Sequence, residues 1–482
     1  MVACYNDHMN VVTYLIERGA NMDLQDKQGN TVLHYAVERR HFEIANKLLA
    51  LGASQLSNIQ HLTPLLLASN DYKIDMVEYF IKRPECTTKQ RIEGLELLGA
   101  TIANDRRLNV YDIEQAFFYL KRGMEERFQD KSCPLFKKQM EPLEAYQNRK
   151  ESQTLEELVL LEGDDHTIHM EGLLIRERIL GTDNTEIRLS IEYSGAVLAN
   201  SGNYELCFGW WEHAMEIGQR CNVPVIRKFD EMARLFSLIL HKQTLLRSEC
   251  VERVFEKLII ECERRKEKLI SITMKLEEHE EHALRGPRWK INRLMHSALY
   301  LLMIYTKLQV PERKETTGIF DSLKIFLGLN PRTRDGNTLL HVAAWYKTEI
   351  TPVQRNVLLV VFKLPCVETM KLIMHAGCNV NAINTKGNSP LHLAVTFKPS
   401  TKDLQLLMDV LEILFDGGIH EDLVNSEGKT AMDIAETDEA RWILSVKRTL
   451  KLKCIAAKAV RKFGLCYVGI VPKTVKRFIS TH

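Results

Sequence analysis

The clearest structural signal in this chain is Arg334-Asp335-Gly336-Asn337-Thr338-Leu339-Leu340-His341-Val342-Ala343-Ala344, a polar turn followed by an apolar helical segment. Threonine is a favoured N-cap residue, so the helix is predicted to begin directly after Thr338. The histidine three residues later is expected to bind backbone and to fix a neighbouring turn. This unit therefore predicts a turn that opens the first helix of a helical pair.

Related units recur on both sides of it. They are Gly29-Asn30-Thr31-Val32-Leu33-His34, Leu62-Thr63-Pro64-Leu65-Leu66, Lys386-Gly387-Asn388-Ser389-Pro390-Leu391-His392-Leu393-Ala394 and, more weakly, Glu427-Gly428-Lys429-Thr430-Ala431-Met432-Asp433-Ile434-Ala435. Near the N-terminus the interval is 33 residues, from Gly19-Ala20 to Gly52-Ala53. Such a period is typical of ankyrin repeats. His34 is accordingly interpreted as a structural residue and not as a catalytic base.

The later units are spaced less regularly. Their glycines stand 51 and 41 residues apart (336, 387 and 428), so about eighteen and eight residues are inserted between helices. The insertions fall around Tyr346 to Pro365 and Phe397 to Asp403. Insertions in solenoids map to loops on one edge.

Between the two ankyrin blocks, the chain loses the period and is predicted to be helical throughout. Gly195, Cys207, Trp211 and Ala214 have the spacing of a tetratricopeptide unit, in which small residues let two helices approach. We predict an all-α fold: an ankyrin solenoid, a tetratricopeptide-like middle, a second ankyrin block and a helical C-terminal box. The predicted domain ranges are 1–86, 87–315, 316–446 and 447–482.

Met1 falls inside the first helix of a repeat, with no turn and no N-cap before it. A repeat array normally ends in a capping unit with a polar outer face. We therefore expect that this first repeat is a truncated internal one and that upstream repeats are missing from the sequence, either through the gene model or in an isoform.

Composition bounds the class of protein. The chain has 482 residues, 45% of them hydrophobic, and a net charge of only +2. Its 11 cysteines contain no CxxC pair, which favours reduced thiols over a disulfide framework. The N-terminus lacks the pattern of a signal peptide, and the apolar runs are too short to span a bilayer. These features predict a soluble cytoplasmic or nuclear protein without a membrane segment.

The sequence contains no recognisable catalytic or metal-binding motif. His279 and His282 are three residues apart, whereas zinc protease helices place two histidines four apart. Asp164-Asp165-His166 is better explained as a solvated helix start than as a metal site. Phosphate-binding loops, nucleophile elbows and dinucleotide fingerprints do not occur. We predict no catalytic residue, no metal, no cofactor and a role in binding.

The C-terminal segment has a pattern of its own. From Lys447 onward it contains ten lysines and arginines but no acidic residue. Leu452, Ala456 and Val460 share one face of a predicted amphipathic helix. A second short helix is predicted to follow, with Pro472, Val475 and Phe478 as its regularly spaced apolar residues. Two such helices cannot form a core alone, so they cap the preceding domain or bind a partner.

Beyond these patterns, three strings outside the repeats resemble the Fem (feminization homologue) family, substrate receptors of cullin-2 RING ubiquitin ligases. They are Ile92-Glu93-Gly94-Leu95-Glu96-Leu97-Leu98-Gly99-Ala100-Thr101-Ile102-Ala103-Asn104-Asp105-Arg106, then Ala145-Tyr146-Gln147-Asn148-Arg149, then His169-Met170-Glu171-Gly172-Leu173-Leu174-Ile175-Arg176-Glu177-Arg178-Ile179-Leu180-Gly181. The likeness covers essentially the whole chain. It also includes the order of the parts: ankyrin block, helical middle, second ankyrin block and basic tail.

The resemblance implies a function and its residues. Leu452, Ala456 and Val460 would form an elongin-binding box, with the leucine in a pocket on elongin C, and Pro472, Val475 and Phe478 would anchor cullin-2. The partners would be elongin B/C, cullin-2 with its RING subunit, and protein substrates carrying C-terminal degrons. Neither nucleic acid nor a membrane would be a partner, and the chain would be a non-catalytic adaptor for ubiquitination and proteasomal degradation.

Departures from the family pattern leave the substrate site open. Family members read substrates on the concave face of the N-terminal ankyrin block, much of which would precede Met1, and Lys27-Gln28 stands where they tend to have His-Cys. No substrate-binding residue is therefore assigned. Two alternatives are retained: an ankyrin scaffold whose basic tail binds nucleic acid or acidic membranes, and a truncated receptor that competes for elongin.

Overall fold

The computed structural model describes residues 1–104, 112–130, 134–274, 284–308, 318–345, 364–397 and 404–446, together with 456, 457, 459–461, 463–467, 470–472, 475, 476, 478 and 479. Contacts within the chain divide it into two compact units, Met1–Val223 and Pro224–His482. Regular structure in the described ranges is helical, apart from an isolated bridge between Val424 and Thr430. The predicted all-α class is confirmed, whereas the predicted domain boundaries stay predictions.

The first unit begins with three short helical pairs and continues into longer helices. The helices are α1 (Val2–Tyr5), α2 (Met9–Glu17), α3 (Val32–Glu38), α4 (Phe42–Ala50), α5 (Pro64–Asn70), α6 (Ile74–Ile81), α7 (Thr88–Asn104), α8 (Ile113–Arg127), α9 (Leu155–Val159), α10 (Asp165–Leu180), α11 (Thr185–Asn200) and α12 (Tyr204–Arg220), with a 3-10 turn at Glu144–Tyr146. Helices α1 to α6 form the first ankyrin block, and α7 packs on α5, α8 and α10.

The first ankyrin block buries one face of each helix against its neighbours. Leu33, Ala36 and Val37 of α3 are buried, as are Ile44 and Leu48 of α4. Fully burying one such leucine or isoleucine stabilises the fold by about 1.5–3 kcal/mol. This stacking explains why the sequence repeats its apolar positions at the ankyrin interval.

The turns that precede the first helix of each pair lie side by side, and we call them fingers. In the first finger, Gly29 N–H donates to Asp26 O (3.0 Å), and Ile59 N–H of the second finger donates to Gln28 O (3.0 Å). Gly29 has φ +77°, and a Cβ there would lie 2.9 Å from Ile59 N. Glycine is thus required both by the turn and by the close approach of the next finger.

The predicted tetratricopeptide-like contact is present between α11 and α12. A Cβ on Gly195 would lie 2.5 Å from the Trp211 ring, so only glycine lets the indole pack there. The indole N–H of Trp211 donates to Glu192 O at 2.9 Å. The two helices are therefore held together by both close packing and a hydrogen bond.

The second unit contains long helices followed by the second ankyrin block. The helices are α13 (Ile226–His241), α14 (Ser248–Thr273), α15 (Arg285–Lys307), α16 (Gly318–Gly328), α17 (Leu339–Ala344), α18 (Val367–His375), α19 (Pro390–Ala394), α20 (Leu404–Asp416), α21 (Ala431–Ile434) and α22 (Asp438–Val446). The predicted insertions fall mostly at 346–363 and 398–403, which lie outside the described residues.

Fingers of the second block repeat the geometry of the first. Thr385 N–H donates to Asp335 O and Ser426 N–H donates to Lys386 O, each at 3.0 Å. Side-chain amides connect the same fingers, because Asn384 Nδ2 donates to Asn337 Oδ1 at 2.8 Å. Both blocks are therefore built by the same hydrogen-bonding rule.

Candidate interaction surfaces

The histidines of the turn motif join neighbouring fingers. Thr31 N–H donates to His34 Nδ1 (3.1 Å), and His34 Nε2 lies 3.0 Å from Leu62 O of the next finger. A backbone N–H can only donate and a carbonyl can only accept, so Nδ1 is the acceptor and Nε2 carries the proton. The ring is therefore neutral, and burial lowers the pKa of His34. These contacts to backbone atoms give His34 the structural role that the sequence predicts.

The second block uses two histidines in the same way. His341 Nε2 lies 2.9 Å from Asn388 O, and His392 Nε2 lies 3.2 Å from Lys429 O. Burial lowers the pKa of His341 to about 4 and also lowers that of His392. These histidines support the fingers and are not available as acid–base catalysts near neutral pH.

An aromatic and charged patch runs along α3 of the first block, from Asp26 in the finger to Arg39 at the C-terminal end of the helix. Tyr35 O–H donates to Asp26 Oδ2 at 2.6 Å, which lowers the pKa of Asp26 and raises that of Tyr35 to about 12. The Arg39 guanidinium lies 3.8 Å from the centre of the Tyr5 ring, and Tyr5 meets Tyr35 edge to face. We call Tyr5, Asp26, Tyr35 and Arg39 the tyrosine patch. Sequence reasoning assigned no substrate residue, although Tyr35 directly follows the motif histidine His34.

The predicted elongin-binding residues are only partly described. Leu452 lies outside the described residues. Ala456 is exposed and Val460 is half-buried, while the neighbouring Ala457 is 3% exposed. The helix residue that packs inward is thus Ala457, and Ala456 faces outward.

The predicted cullin-binding residues fall into two groups. Pro472 is exposed, and 41% of Val475 is exposed. Phe478, in contrast, meets the His420 ring edge to face at 5.7 Å, and its neighbour Ile479 is buried. The end of the chain is therefore anchored to its own second unit, while Pro472 and Val475 face solvent.

Other apolar side chains of the tail are also exposed. Phe463 is 69% exposed and Ile470 is 73% exposed, and Leu465 is exposed as well. Exposed apolar side chains are typical of binding surfaces where they form a contiguous patch.

A buried ion cluster joins residues of two of the quoted strings, 92–106 and 169–181, to residues outside them. Its members are Glu96, Glu151, Glu171, Arg127, Lys137 and Arg178. Glu96 binds Arg127 through two N–H···O contacts (2.6 and 2.8 Å) and Arg178 through a third (2.6 Å). Burial alone would raise the pKa of Glu96, but the hydrogen bond from Arg127 and the charges of Arg178 and Lys137 lower it to about 2.

The rest of this cluster fixes the segment 134–153. Lys137 Nζ lies 2.8 Å from Glu151 and 3.7 Å from Glu171. Burial raises the pKa of Glu171 to about 7, against the opposing charge of Lys137. Ser152 N–H donates to Glu171 Oε1 at 3.0 Å. Lys137 and Ser152 of this segment thus both contact buried acids, and these contacts hold the segment in place.

A second buried cluster lies next to it. Glu177 Oε1 accepts a hydrogen bond from Tyr146 O–H (2.6 Å) and lies 2.7 Å from His213 Nε2. Burial opposes the charged imidazolium, but the hydrogen bonds with Glu177 and Glu216 raise the pKa of His213 to about 9. All three side chains of this Tyr146–Glu177–His213 group are buried. Their hydrogen bonds join the quoted string 145–149 to the quoted string 169–181.

The described residues also bear on metal sites and membrane-spanning helices. Asp164 is the N-cap of α10 and accepts a hydrogen bond from Thr167 N–H at 3.3 Å, as expected of a helix start. Across the described ranges, no group of three or more histidine, cysteine or acidic residues could hold a metal ion, and His279 and His282 lie outside those ranges. Of the helices described, none is long and apolar enough to cross a membrane.

Known proteins resemble this chain both in its N-terminal repeats and over most of its length. Residues 1–91 match the family model for ankyrin repeats (three copies). Protein fem-1 homolog A-like of Mus musculus is 28% identical over 100% of this chain and 76% of its own length. The Danio rerio fem-1 homologs C and A are 30% and 31% identical over 87% of this chain and 65% of their own length. The chain thus spans about two thirds of those two curated relatives. Similarity over most of the chain, together with the ankyrin repeats, shows that the chain belongs to the Fem family.

Proposed function

We propose that this chain is a non-catalytic substrate-recognition adaptor of a cullin-2 RING ubiquitin ligase, recruited through elongin B/C. It would bind the C-terminal ends of protein substrates and bring them to a charged conjugating enzyme, so that proximity promotes ubiquitination. The observation that carries the proposal is the outward-facing apolar surface of the tail, in a chain that belongs to the Fem family.

The exposed Ala456 supports the elongin-binding part of the proposal. A small residue on the outer face of a helix permits close approach of a partner backbone, while its buried neighbour Ala457 holds the helix on its own chain. Val460 is half-buried, so its side chain can contact both the partner and its own chain. The partner pocket would be filled by Leu452, and burying one leucine is worth roughly 1.5–3 kcal/mol.

The cullin-binding part is supported by the two groups of residues in the predicted cullin-binding segment: some attach to this chain and others face solvent. Phe478 and Ile479 attach the chain end near His420, so ordering this segment costs less entropy on binding. Val475 and Pro472 remain exposed for the partner. The surrounding lysines and arginines would steer association more than set its affinity.

The tyrosine patch is the best-supported candidate for substrate contact. It combines the Arg39 cation, the Asp26 carboxylate and two aromatic rings in the first block. Arg39 is exposed, and an arginine can pair with a carboxylate such as a chain end. Aromatic rings beside it would add contact area at low entropic cost.

Co-purification with elongin B/C and cullin-2 tests the proposal. Leu452→Ala and Ala456→Asp should abolish capture of elongin B/C, whereas Val475→Asp should lose cullin-2 and keep elongin. Val446→Asp is the matched control, because Val446 is an exposed apolar residue at the end of α22 outside both boxes. Retention of elongin by both Leu452→Ala and Ala456→Asp would sink the proposal. Binding to DNA or anionic vesicles that is steeply salt-dependent and survives Leu452→Ala would favour the basic-tail alternative.

A further inference from the structure

One stretch of the first unit is held in place with little apolar packing. It is the segment 134–153, whose regular structure is limited to the 3-10 turn Glu144–Tyr146, and we call it the strap. Of its apolar side chains only that of Tyr146 is buried, whereas Leu135 and Phe136 are exposed. Segments with few buried apolar contacts open at a low cost in free energy. The hold on the strap therefore depends on polar groups.

Four polar groups of the strap meet charged partners. They are the Lys137 ammonium, the Tyr146 hydroxyl, the Glu151 carboxylate and the Ser152 N–H. Helix α10 supplies a partner for each of the last three, namely Glu177 at 2.6 Å, Arg178 at 2.7 Å and Glu171 at 3.0 Å. The strap is thus fastened to α10 mainly through ionisable groups.

Glu171 is a partner whose charge changes near neutral pH. Burial raises its pKa from the ordinary value of 4.5 to about 7, although the Lys137 ammonium at 3.7 Å opposes this shift. Opening the strap would bring water to the carboxylate and return its pKa towards the ordinary value. The closed strap therefore binds the Glu171 proton more tightly than the open strap does. Closure is favoured at low pH and weakens as the pH rises from 4.5 to about 7.

The other charged groups around Glu171 come from the strap and from three helices. They are Lys137 and Glu151 of the strap, Glu96 of α7, Arg127 of α8 and Arg178 of α10. Glu96 stays ionised through this range, because its pKa is about 2. At the Tyr146 contact, Glu177 pairs with His213, whose pKa of about 9 keeps the imidazole charged over the same range. Ionisation of Glu171 therefore changes the net charge of the buried cluster while the Tyr146 contact keeps its charged partners.

We propose that the strap is a pH-sensitive closure, which lies on α10 at mildly acidic pH and opens more often as the pH rises to neutral. Opening brings water to Glu171 and separates Ser152 and Lys137 from it. The device belongs to the first unit and does not rest on the proposed function, so capture of elongin or cullin-2 is not its readout.

Hydrogen–deuterium exchange of the full chain, followed by mass spectrometry at pH 5.5 and 7.5, tests the proposal. Protection factors, in which the pH dependence of chemical exchange is divided out, should fall about tenfold or more in the strap, because opening lowers the pKa of Glu171 from about 7 towards 4.5. Peptides that cover α3 and α4 are the internal reference and should change much less. Glu171→Gln fixes the neutral form and keeps an acceptor for the Ser152 N–H, so strap protection should then be nearly equal at the two pH values.

Glu157→Gln is the matched control. Glu157 also accepts a backbone N–H of the strap, from Gln153 at 2.6 Å, but this contact is exposed to solvent. Its substitution should leave the fall in strap protection unchanged. Equal strap protection at the two pH values, a fall of the same size in α3 and α4, or a Glu171→Gln chain that keeps the fall of the parent would overturn the proposal.

Discussion

Three histidines of the fingers and His213 of the helical middle are all buried, yet they differ in charge state. His34, His341 and His392 bind backbone atoms and stay neutral. His213 binds the Glu177 carboxylate and is held in its charged form. A buried polar group needs a hydrogen-bond partner, and the charge of that partner decides whether a histidine stays neutral or is protonated. The finger histidines thus rely on neutral hydrogen bonds to the backbone, whereas His213 relies on an ion pair.

Breaking the ion cluster should have the largest effect. Glu96→Gln keeps the shape of the side chain but leaves Arg127 and Arg178 buried beside a neutral amide. We expect a loss of about 3–5 kcal/mol in the free energy of unfolding, because an unpaired buried charge is costly. Urea denaturation followed by circular dichroism at 222 nm measures it.

Glu93→Gln is the control for that substitution. Glu93 lies on the same helix, but its ion pair is 3.8 Å long and its partner Lys89 is exposed. Such a pair contributes at most about 1 kcal/mol. Equal losses for Glu93→Gln and Glu96→Gln would show that the cluster does not stabilise the fold through buried charge.

The two kinds of histidine predict opposite responses to pH. His213 has a pKa of about 9 in the folded chain, above its ordinary value of 6.5. Its stabilisation is therefore complete below pH 6.5 and is lost as pH rises towards 9, by up to roughly 3 kcal/mol. His341 has a pKa of about 4, so its stabilisation is complete above pH 6.5 and is lost as pH falls towards 4.

Urea midpoints across this pH range separate the two effects. His213→Gln should flatten only the decline between pH 6.5 and 9, and His341→Gln only part of the decline between pH 6.5 and 4. A His213→Gln profile that still falls on the alkaline side with the slope of the parent would contradict the charged state of His213.

This contrast also explains how far the sequence could predict the structure. The finger contacts recur because each partner stands at the same place in the next repeat, directly before the helix N-cap, as Leu62 does for His34 and Asn388 does for His341. The ion cluster joins Glu96 to Arg127 and Arg178, which are 31 and 82 residues away with no period to relate them. Glu96 and Arg178 were visible in sequence only as charged positions inside strings that resemble a family, and Arg127 lies outside those strings.

For the tail, apolar spacing predicted which residues belong to each box but not which of them face outward. Ala456 and Ala457 are adjacent and identical in type, and only packing makes one exposed and the other buried. The aromatic contacts of the tyrosine patch likewise depend on how the repeats stack. Orientation of this kind follows from tertiary packing, which a helical period does not specify.

The last repeat of each block marks where finger contacts end. Where another finger follows, the motif residue is a histidine, as in His34, His341 and His392. In the final repeats the same position is Leu66 or Asp433. A histidine at this position thus predicts that a further finger follows.

The smallest effects are expected at the finger glycines, where the contact between fingers can be separated from the turn itself. Gly387 and Gly428 both have positive φ, +73° and +75°, so alanine costs about 1–2 kcal/mol of backbone strain at either position. A Cβ on Gly387 would also lie 2.7 Å from Ser426 N and disturb its 3.0 Å bond to Lys386 O, whereas a Cβ on Gly428 meets nothing within 4 Å. Gly387→Ala should therefore lower the free energy of unfolding by about 1 kcal/mol more than Gly428→Ala does, measured by urea denaturation. Identical losses would mean that hydrogen bonds between fingers add no stability beyond the turn, and the ankyrin blocks would then depend on apolar stacking alone.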